Sequence, residues 1–439
     1  MEKRTFAGGA HPHENKDKTA KLPIEAARMP SRVIIPLSQH VGAPCEPLVK
    51  VGDTVAVGQK IGDSQAFVSA PVNASVSGKV TAIEPLLSPG GANVMSIVIE
   101  SDGLDTIAEG IAPRGDLASL SADEIKAIIR EAGIVGMGGA GFPTHVKVAP
   151  PKDKKVDVYI INAAECEPYV TCDHRLMLER PQDIVLGFKA LMKAAGVTRG
   201  YIGIEDNKPD AIESMLRAVA NESGISVVAL KTKYPQGGEK QLINAITGRV
   251  VPSGGLPADV GVLVSNVSTA VALADALQTG MPVIERTLTV TGPIVSTPRN
   301  LRVRIGTSFA DLVEQCGGLT APAAKVISGG PMMGIAQSSL DVPVAKGTSC
   351  ILVLGEADLD KTPTRACIRC ARCVDACPMH LMPIWISQYA ERDMYEEAAK
   401  LNAVDCIECG TCAYVCPSRR PLVEAIRVAK RIALAKRKK

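Results

Sequence analysis

Two stretches near the carboxyl end, CIRCARCVDACP (residues 367–378) and CIECGTCAYVCP (residues 406–417), repeat the pattern C-x2-C-x2-C-x3-C-P. Thiolates at this spacing bring three sulfurs from one loop onto three corners of a [4Fe–4S] cube, and in two-cluster proteins the fourth cysteine of each run ligates the other cube. The spacing therefore assigns Cys367, Cys370, Cys373 and Cys416 to one cluster, and Cys406, Cys409, Cys412 and Cys377 to a second. Pro378 and Pro417 halt the chain as it leaves each cluster. Structural zinc is the competing reading, but zinc sites usually pair C-x2-C units across a longer gap. Residues 379–405 between the runs read as two helices, more than a compact bacterial ferredoxin holds there, so a helical ferredoxin module is expected over 357–421. Cys45, Cys166, Cys172, Cys316 and Cys350 have no ligand spacing and read as buried free thiols.

A chain of 439 residues exceeds one core and calls for about three domains. With 46% hydrophobic and 22% charged residues it is globular and not disordered. The longest apolar stretch, around VGVLVSNVSTAVALADAL, is interrupted by Ser, Asn and Thr and falls short of the ~20 apolar residues of a membrane span. The N-terminus MEKRTFAGGAHPHENK lacks the apolar centre of a secretory signal, so a reducing cytoplasm is expected, where disulfides are rare. A net charge of +3 gives no case for nucleic acid as a partner.

Residues 30–100 are rich in Val, Ile, Gly and Pro, with turns at Gly52-Asp53, Gly58, Gly62-Asp63 and Ser88-Pro89-Gly90 between short strand-like runs. The phrases VGDTVAVGQKIG and VSAPVNASVSGKV resemble the halves of a biotinyl/lipoyl-type barrel-sandwich, expected over 1–112. The hairpin that would carry the modified lysine reads GDSQAF, so the domain should be unmodified. From 113 to 284 the pattern alternates: VDVYII, YIGI, SVVAL and VGVLV are short apolar runs, each followed by a loop and an amphipathic stretch. That implies a mainly parallel, Rossmann-like sheet covered by helices, with ligands beyond the carboxyl ends of its strands. NAAECEP, EDNKP, KTKYPQGGEK and SNVST follow those ends. Residues 285–356 return to short strands with one helix at SFADLVEQCGG and resemble a β-grasp module of the SLBB type. The remaining 422–439 form a basic helix or tail.

GMGGAGFPTHVK holds Gly136, Gly138 and Gly141 in G-x-G-x-x-G spacing. A Rossmann fingerprint needs a strand before the glycines and a helix after. Here a helix precedes them, with Ser121 and Glu124 as a capping box and Ile125, Ile128 and Ile129 as its apolar face. The loop therefore reads as a different phosphate and ring cradle, its backbone N–H groups bared by the glycines, with Lys147 placed to meet an anionic phosphate.

GGAGFPTHVK, NAAECEPYVTCDHRLM, YPQGGEKQL and NVST together resemble the flavin-binding C subunit of bacterial Rnf complexes, the ion-translocating ferredoxin:NAD oxidoreductase family, and more distantly the NADH-binding flavoprotein subunit of respiratory complex I. Cobalamin reductases share the middle and the cysteines, but the leading HPHENK and VIIPLSQHVGAPCEPLVKVGD favour Rnf. The resemblance implies that Gly136, Gly138, Gly139, Gly141 and Lys147 line FMN phosphate and ribityl, and that Asn162, Asn266 and Thr269 bond its polar parts. It implies further that Phe142, Glu165 and Glu167 face NAD(H). Complex I has paired acids where this chain has GGEK, which puts a nucleotide role for Glu239 in doubt.

So read, the chain is a membrane-associated electron-transfer enzyme subunit, peripheral on the cytoplasmic face of the cell membrane. Flavin accepts hydride from NADH as an electron pair and hands electrons on singly to the clusters. Ferredoxin takes part indirectly, through the integral-membrane and iron–sulfur Rnf subunits, which would carry Na+ or H+. The basic tail, with Arg427, Lys430, Arg431, Lys436, Arg437, Lys438 and Lys439, is expected either to lie on anionic lipid or to be a solvated terminus. The rival functions are a cobalamin reductase, a soluble hydrogenase-type flavoprotein subunit, and an iron–sulfur relay that binds no nucleotide.

Overall fold

The structure, a computed structural model, describes residues 3–151 and 153–437. At its centre lies a four-stranded parallel sheet in the order Ile225–Leu230, Gly200–Glu205, Val158–Ala163, Val262–Asn266. The strands read as unbroken apolar runs because both faces are covered. Tyr159 and Ile161 face one core, with helices Ala122–Glu131, Pro181–Ala195 and Val267–Thr279. Val158 and Ile160 face the other, with helix Glu239–Thr247. Gly187 lets two of these helices meet backbone to backbone: a Cβ there would stand 1.9 Å from the Ala270 carbonyl oxygen. The strand order reverses between Val158–Ala163 and Val262–Asn266, and such a reversal opens a crevice at the strands' carboxyl ends.

The expected capping box is present. Ser121 Oγ accepts from the Glu124 amide at 3.2 Å, and the Glu124 carboxylate accepts from the Ser121 amide at 2.7 Å. Ile125 and Ile129 are fully buried beneath that helix.

Two small antiparallel sheets form the barrel-sandwich. One comprises Arg32–Pro36, Asn93–Ser101, Gly78–Leu87 and Thr54–Val55, and the other Glu46–Pro47, Lys60–Asp63 and Val72–Asn73. The β-grasp unit is a six-stranded mixed sheet packed on helix Phe309–Gln315, which starts at the N-cap Ser308. One edge strand of that sheet, Ile24–Ala26, comes from the far end of the chain. Indeed residues 3–30 run outside the sandwich: Arg4 bridges to Leu230 at the parallel sheet, Ala10 bridges to Tyr234, and Ile24–Ala26 then joins Arg299–Arg304.

In the cysteine module the sequence repeat becomes a backbone repeat. Left-handed residues recur at matching offsets, Arg369, Ala371 and His380 in the first copy, and Glu408, Gly410 and Arg419 in the second. Each first cysteine accepts the amide two residues on, Arg369 N to Cys367 Sγ and Glu408 N to Cys406 Sγ, both at 3.4 Å. Between the copies stand the two expected helices, Pro383–Ala390 and Tyr395–Lys400.

The basic tail is the module's last helix, Leu422–Arg437, rather than a loose end. Leu422, Ile426, Ala429 and Ala433 are buried on the module, while Val428 and Leu434 on the same helix are exposed. Arg427 and Lys430 pair with Glu408, and Lys436 pairs with Glu396. Arg431 stays exposed on the helix, and Lys438 and Lys439 lie outside the described residues.

Candidate flavin cradle and cysteine centre

The crevice is bounded by Asn162 and Asn266, which stand opposite each other in the parallel register at the reversal point. Asn162 Nδ2 donates to the Gly237 carbonyl at 2.7 Å, tying the YPQGGEK loop to its strand. Asn266 caps helix Val267–Thr279, with its Oδ1 accepting from the Ser268 amide at 2.8 Å, and its Nδ2 donates to Asp173 at 2.6 Å.

The glycine loop lies directly on Asn266. Its ends are closed by a bridge between Val135 and Pro143 and by the Gly136 amide donating to the Phe142 carbonyl at 2.9 Å. Three separate parts of the chain hold it. Thr269 Oγ1 accepts from the Met137 amide at 3.0 Å, Arg286 Nη2 donates to the Met137 carbonyl at 3.0 Å, and the Val41 amide donates to the Gly141 carbonyl at 3.2 Å. At Gly138 a Cβ would stand 2.7 Å from Asn266 Nδ2, whereas at Gly139 it would meet nothing within 4 Å. Gly138, Gly139 and Ala140 are exposed. The loop is thus a shelf, packed beneath and bare above, which suits close approach of a flat, anionic cofactor to backbone N–H groups. Phe142 is half-buried at its end, before the one-turn helix Thr144–Lys147. Lys147 Nζ donates to the Val264 carbonyl at 2.7 Å and lies 3.5 Å from Glu239, so its charge is held at the carboxyl end of the strand Val262–Asn266.

Glu165 and Glu167 sit lower. The Glu165 carboxylate accepts the amides of Asp173 at 2.6 Å and His174 at 3.2 Å, capping helix Cys172–Glu179 from outside its own turn. The Glu167 carboxylate accepts the amides of Met332 at 3.1 Å and Met333 at 2.9 Å in the GGPMMG loop of the β-grasp unit. Burial pushes both carboxyls up to about 7. Lys16 Nζ stands 3.9 Å from Glu165, brought there by the N-terminal strap. The structure therefore gathers Gly136, Gly138, Gly139, Gly141, Lys147, Asn162, Asn266 and Thr269 around one crevice, with Phe142 at its margin. It turns the two glutamates toward backbone amides.

Several contributors were not read from the sequence. Arg286 is 3% exposed and bridges Met137 to the Thr348 carbonyl. Its one sequence signal is an arginine between Glu285 and Thr287 at the start of the strand Glu285–Thr291. Asp173 receives both Asn266 and Ser268, and nothing in NAAECEPYVTCDHRLM marks it over its neighbours.

The cysteines form two groups that cross between the repeats. Cys377 of the first copy lines one cavity with Cys406, Cys409 and Cys412 of the second. Cys416 and Cys367 each lie close enough to Cys373 to raise its thiol. Cys370 is exposed. Burial pushes the Cys406 thiol up to about 11 and raises Cys377 and Cys373. Such thiols become thiolates where bound iron supplies the compensating charge. Four sulfurs in an otherwise apolar cavity fit a [4Fe–4S] cube.

The cavity is joined to the crevice by direct bonds. Tyr234 Oη donates to the Cys409 carbonyl at 2.8 Å, and Gln241 Nε2 donates to the Pro378 carbonyl at 3.1 Å. Both residues belong to the stretch YPQGGEKQL.

Comparison with known proteins gives the same succession of parts. Residues 4–104 match the RnfC barrel sandwich hybrid domain, 129–275 the Nuo51 FMN-binding domain, 287–336 the SLBB domain and 366–419 the 4Fe-4S dicluster domain. The chain is 53% identical to the C subunit of the Na(+)-translocating ferredoxin:NAD(+) oxidoreductase complex of Acetobacterium woodii, over 99% of this chain and 98% of that protein. It is 52% identical to the proton-translocating counterpart of Clostridium ljungdahlii, over 97% and 93%. Among solved structures, a chain of the NAD+-reducing [NiFe]-hydrogenase in the H2-reduced state aligns with a TM-score of 0.51 at 20% identity, over 73% of this chain and 63% of that one, a likeness of fold. With 42% identity to the C subunit of the ion-translocating oxidoreductase complex of Rhodobacter capsulatus as well, the chain belongs to the family of Rnf complex C subunits.

Proposed function

We propose that the chain is the electron-transfer subunit of an ion-translocating ferredoxin:NAD+ oxidoreductase, exchanging electrons between NAD(H) and two [4Fe–4S] clusters by way of FMN. The carrying observation is the pair of bonds from Tyr234 and Gln241 to the loops of the cysteine cavity, which makes cradle and cavity one continuous unit. FMN would supply the change from electron pairs to single electrons that neither nicotinamide nor an iron–sulfur cube performs.

The chain's own residues do the holding. Gly138 and Gly139 present bare backbone to the cofactor, Lys147 offsets phosphate charge, and Asn162, Asn266 and Thr269 fix the walls. Phe142, at the crevice margin, is the aromatic ring available to a nicotinamide. Glu165 and Glu167 act on the nucleotide across the backbone that they hold, keeping the strand-end loop and the GGPMMG loop in place. Cys377 with Cys406, Cys409 and Cys412 holds one cluster, and Cys367, Cys370, Cys373 and Cys416 hold the other.

No described helix is long and apolar enough to cross a membrane. In this proposal the ion path therefore belongs to integral partner subunits, which also hold the chain at the cytoplasmic face of the membrane. Anaerobic reconstitution tests the reading: about eight irons per chain, extractable FMN and bleaching of the flavin band by NADH are expected. Fewer than about four irons, or no bleaching in flavin-loaded protein, defeats it.

A further inference from the structure

The two cysteine loops share one backbone but not one environment. In the second copy Cys409 is buried at 7% exposure, Thr411 is fully buried, and Glu408 is paired with Arg427 and Lys430. The rest of the protein covers that face: Tyr234 bonds to the Cys409 carbonyl, and a Cβ on Gly410 would stand 3.0 Å from the Met332 carbonyl oxygen. At the matching positions of the first copy Cys370, Arg369 and Arg372 are exposed, and Ile368 is 68% exposed. Arg365 is exposed beside them. Among the described residues none of these three arginines makes an ion pair. The nearby acids Asp360 and Glu356 already pair with Arg419 and Lys361; exposed Asp358, which accepts the Gly355 amide, and exposed Asp375, one turn beyond Arg372, are the remaining carboxylates close in sequence.

We infer that this open face of the first repeat is the docking surface for an acidic one-electron carrier protein. The repeat supplies the geometric reason. The flavin unit sits on the second loop, so the equivalent face of the first loop is where the next redox centre comes close to a cluster ligand. The charge supplies the chemical one: arginines without carboxylate partners around an exposed apolar side chain suit an acidic patch around another cofactor, which steers encounter and fixes orientation. The inference rests on the electron-transfer reading above, departs from the expectation that ferredoxin acts only through other subunits, and adds which end of the chain meets a carrier directly.

The test measures binding directly, with iron- and flavin-loaded full chain and an acidic two-cluster bacterial ferredoxin as the probe. Wild type is expected to bind at low salt and to weaken at least tenfold as ionic strength rises to about 0.3 M, where charges more than several ångströms apart are screened. R369E/R372E, with its iron content checked, is expected to bind at least tenfold more weakly and to lose the salt dependence. Bleaching of its flavin by NADH should be unchanged. No binding by wild type, or an affinity indifferent both to salt and to the substitutions, overturns the inference. If the double variant loses iron, R365Q/R369Q and the wild-type salt series decide the same question. Binding instead to phosphatidylserine vesicles, abolished by the same substitutions, overturns it in favour of a lipid surface. A chain that binds the ferredoxin but whose flavin NADH cannot bleach sinks the proposed function and leaves the docking surface standing.

Discussion

The Tyr234 hydroxyl donates a 2.8 Å hydrogen bond to the carbonyl of Cys409, joining a loop at the flavin-domain strand ends to the ligand loop of the second cysteine repeat. Tyr234 is 1% exposed, so the bond is shielded from water, and a carbonyl left without its donor there cannot be rescued by solvent.

Tyr234→Phe removes that donor together with the hydroxyl's contact to the buried Glu167 carboxylate. We expect a loss of about 1–3 kcal/mol in the loaded protein, read from thermal or denaturant unfolding. NADH should still bleach the flavin while reduction of the clusters slows. Cluster reduction at the wild-type rate would show that the bond does not serve the path.

Gly138→Ala and Gly139→Ala separate packing from ligand approach. The added methyl at 138 meets Asn266 at 2.7 Å and should cost about 1–3 kcal/mol and most of the bound FMN. At 139 the space is open, so unfolding should be unchanged. Loss of FMN from a stable Gly139→Ala protein would then report direct contact with the cofactor.

Arg286→Met should leave the Met137 and Thr348 carbonyls without a donor. A destabilisation of about 2–4 kcal/mol is expected, with weaker FMN retention because the glycine loop loses one of its three supports. Unchanged FMN affinity would show that the other two suffice.

Glu165 and Glu167 predict a pH signature. Burial raises both carboxyls from an ordinary 4.5 to about 7, so between those values the folded state holds protons that the unfolded state has released. Stability from this source is fully present below 4.5 and is lost as pH rises through 7. The slope is at most about 1.4 kcal/mol per pH unit for each group. Glu167→Gln should flatten the profile between pH 5 and 7, and an unchanged slope would mean that Glu167 is ionised in the fold.

The crossing of cysteines is readable by matched pairs. Cys377→Ala and Cys412→Ala should leave the same residual paramagnetic spectrum, since both line one cavity. Cys373→Ala and Cys416→Ala should form the other matching pair. If Cys377→Ala instead matched Cys373→Ala, each repeat would hold its own cube.

Much of this was legible locally. The spacing of eight cysteines names the cluster type because ligand geometry is a short-range property of a loop, and the left-handed residues at equal offsets show one backbone used twice. The four parallel strands lay close to the apolar runs because a strand covered on both faces has little choice of residue. Ser121 and Glu124 announced their helix for the same local reason.

Where local pattern stopped short, the deciding partner was distant in sequence. Glu165 and Glu167 follow a strand end, where ligands are expected, yet their oxygens meet the amides of Asp173, His174, Met332 and Met333. Arg427, Lys430 and Lys436 look free until folding brings Glu408 and Glu396 beneath them. The chain order by itself determined which groups are present and how neighbours are spaced, hence the cluster loops, the sheet and the bare glycines. Only the tertiary structure decided which carboxylate meets which amide, which arginine stays unpaired, and that residues 3–30 bind three units together. Burial and hydrogen bonding across hundreds of positions leave no periodic trace in the sequence.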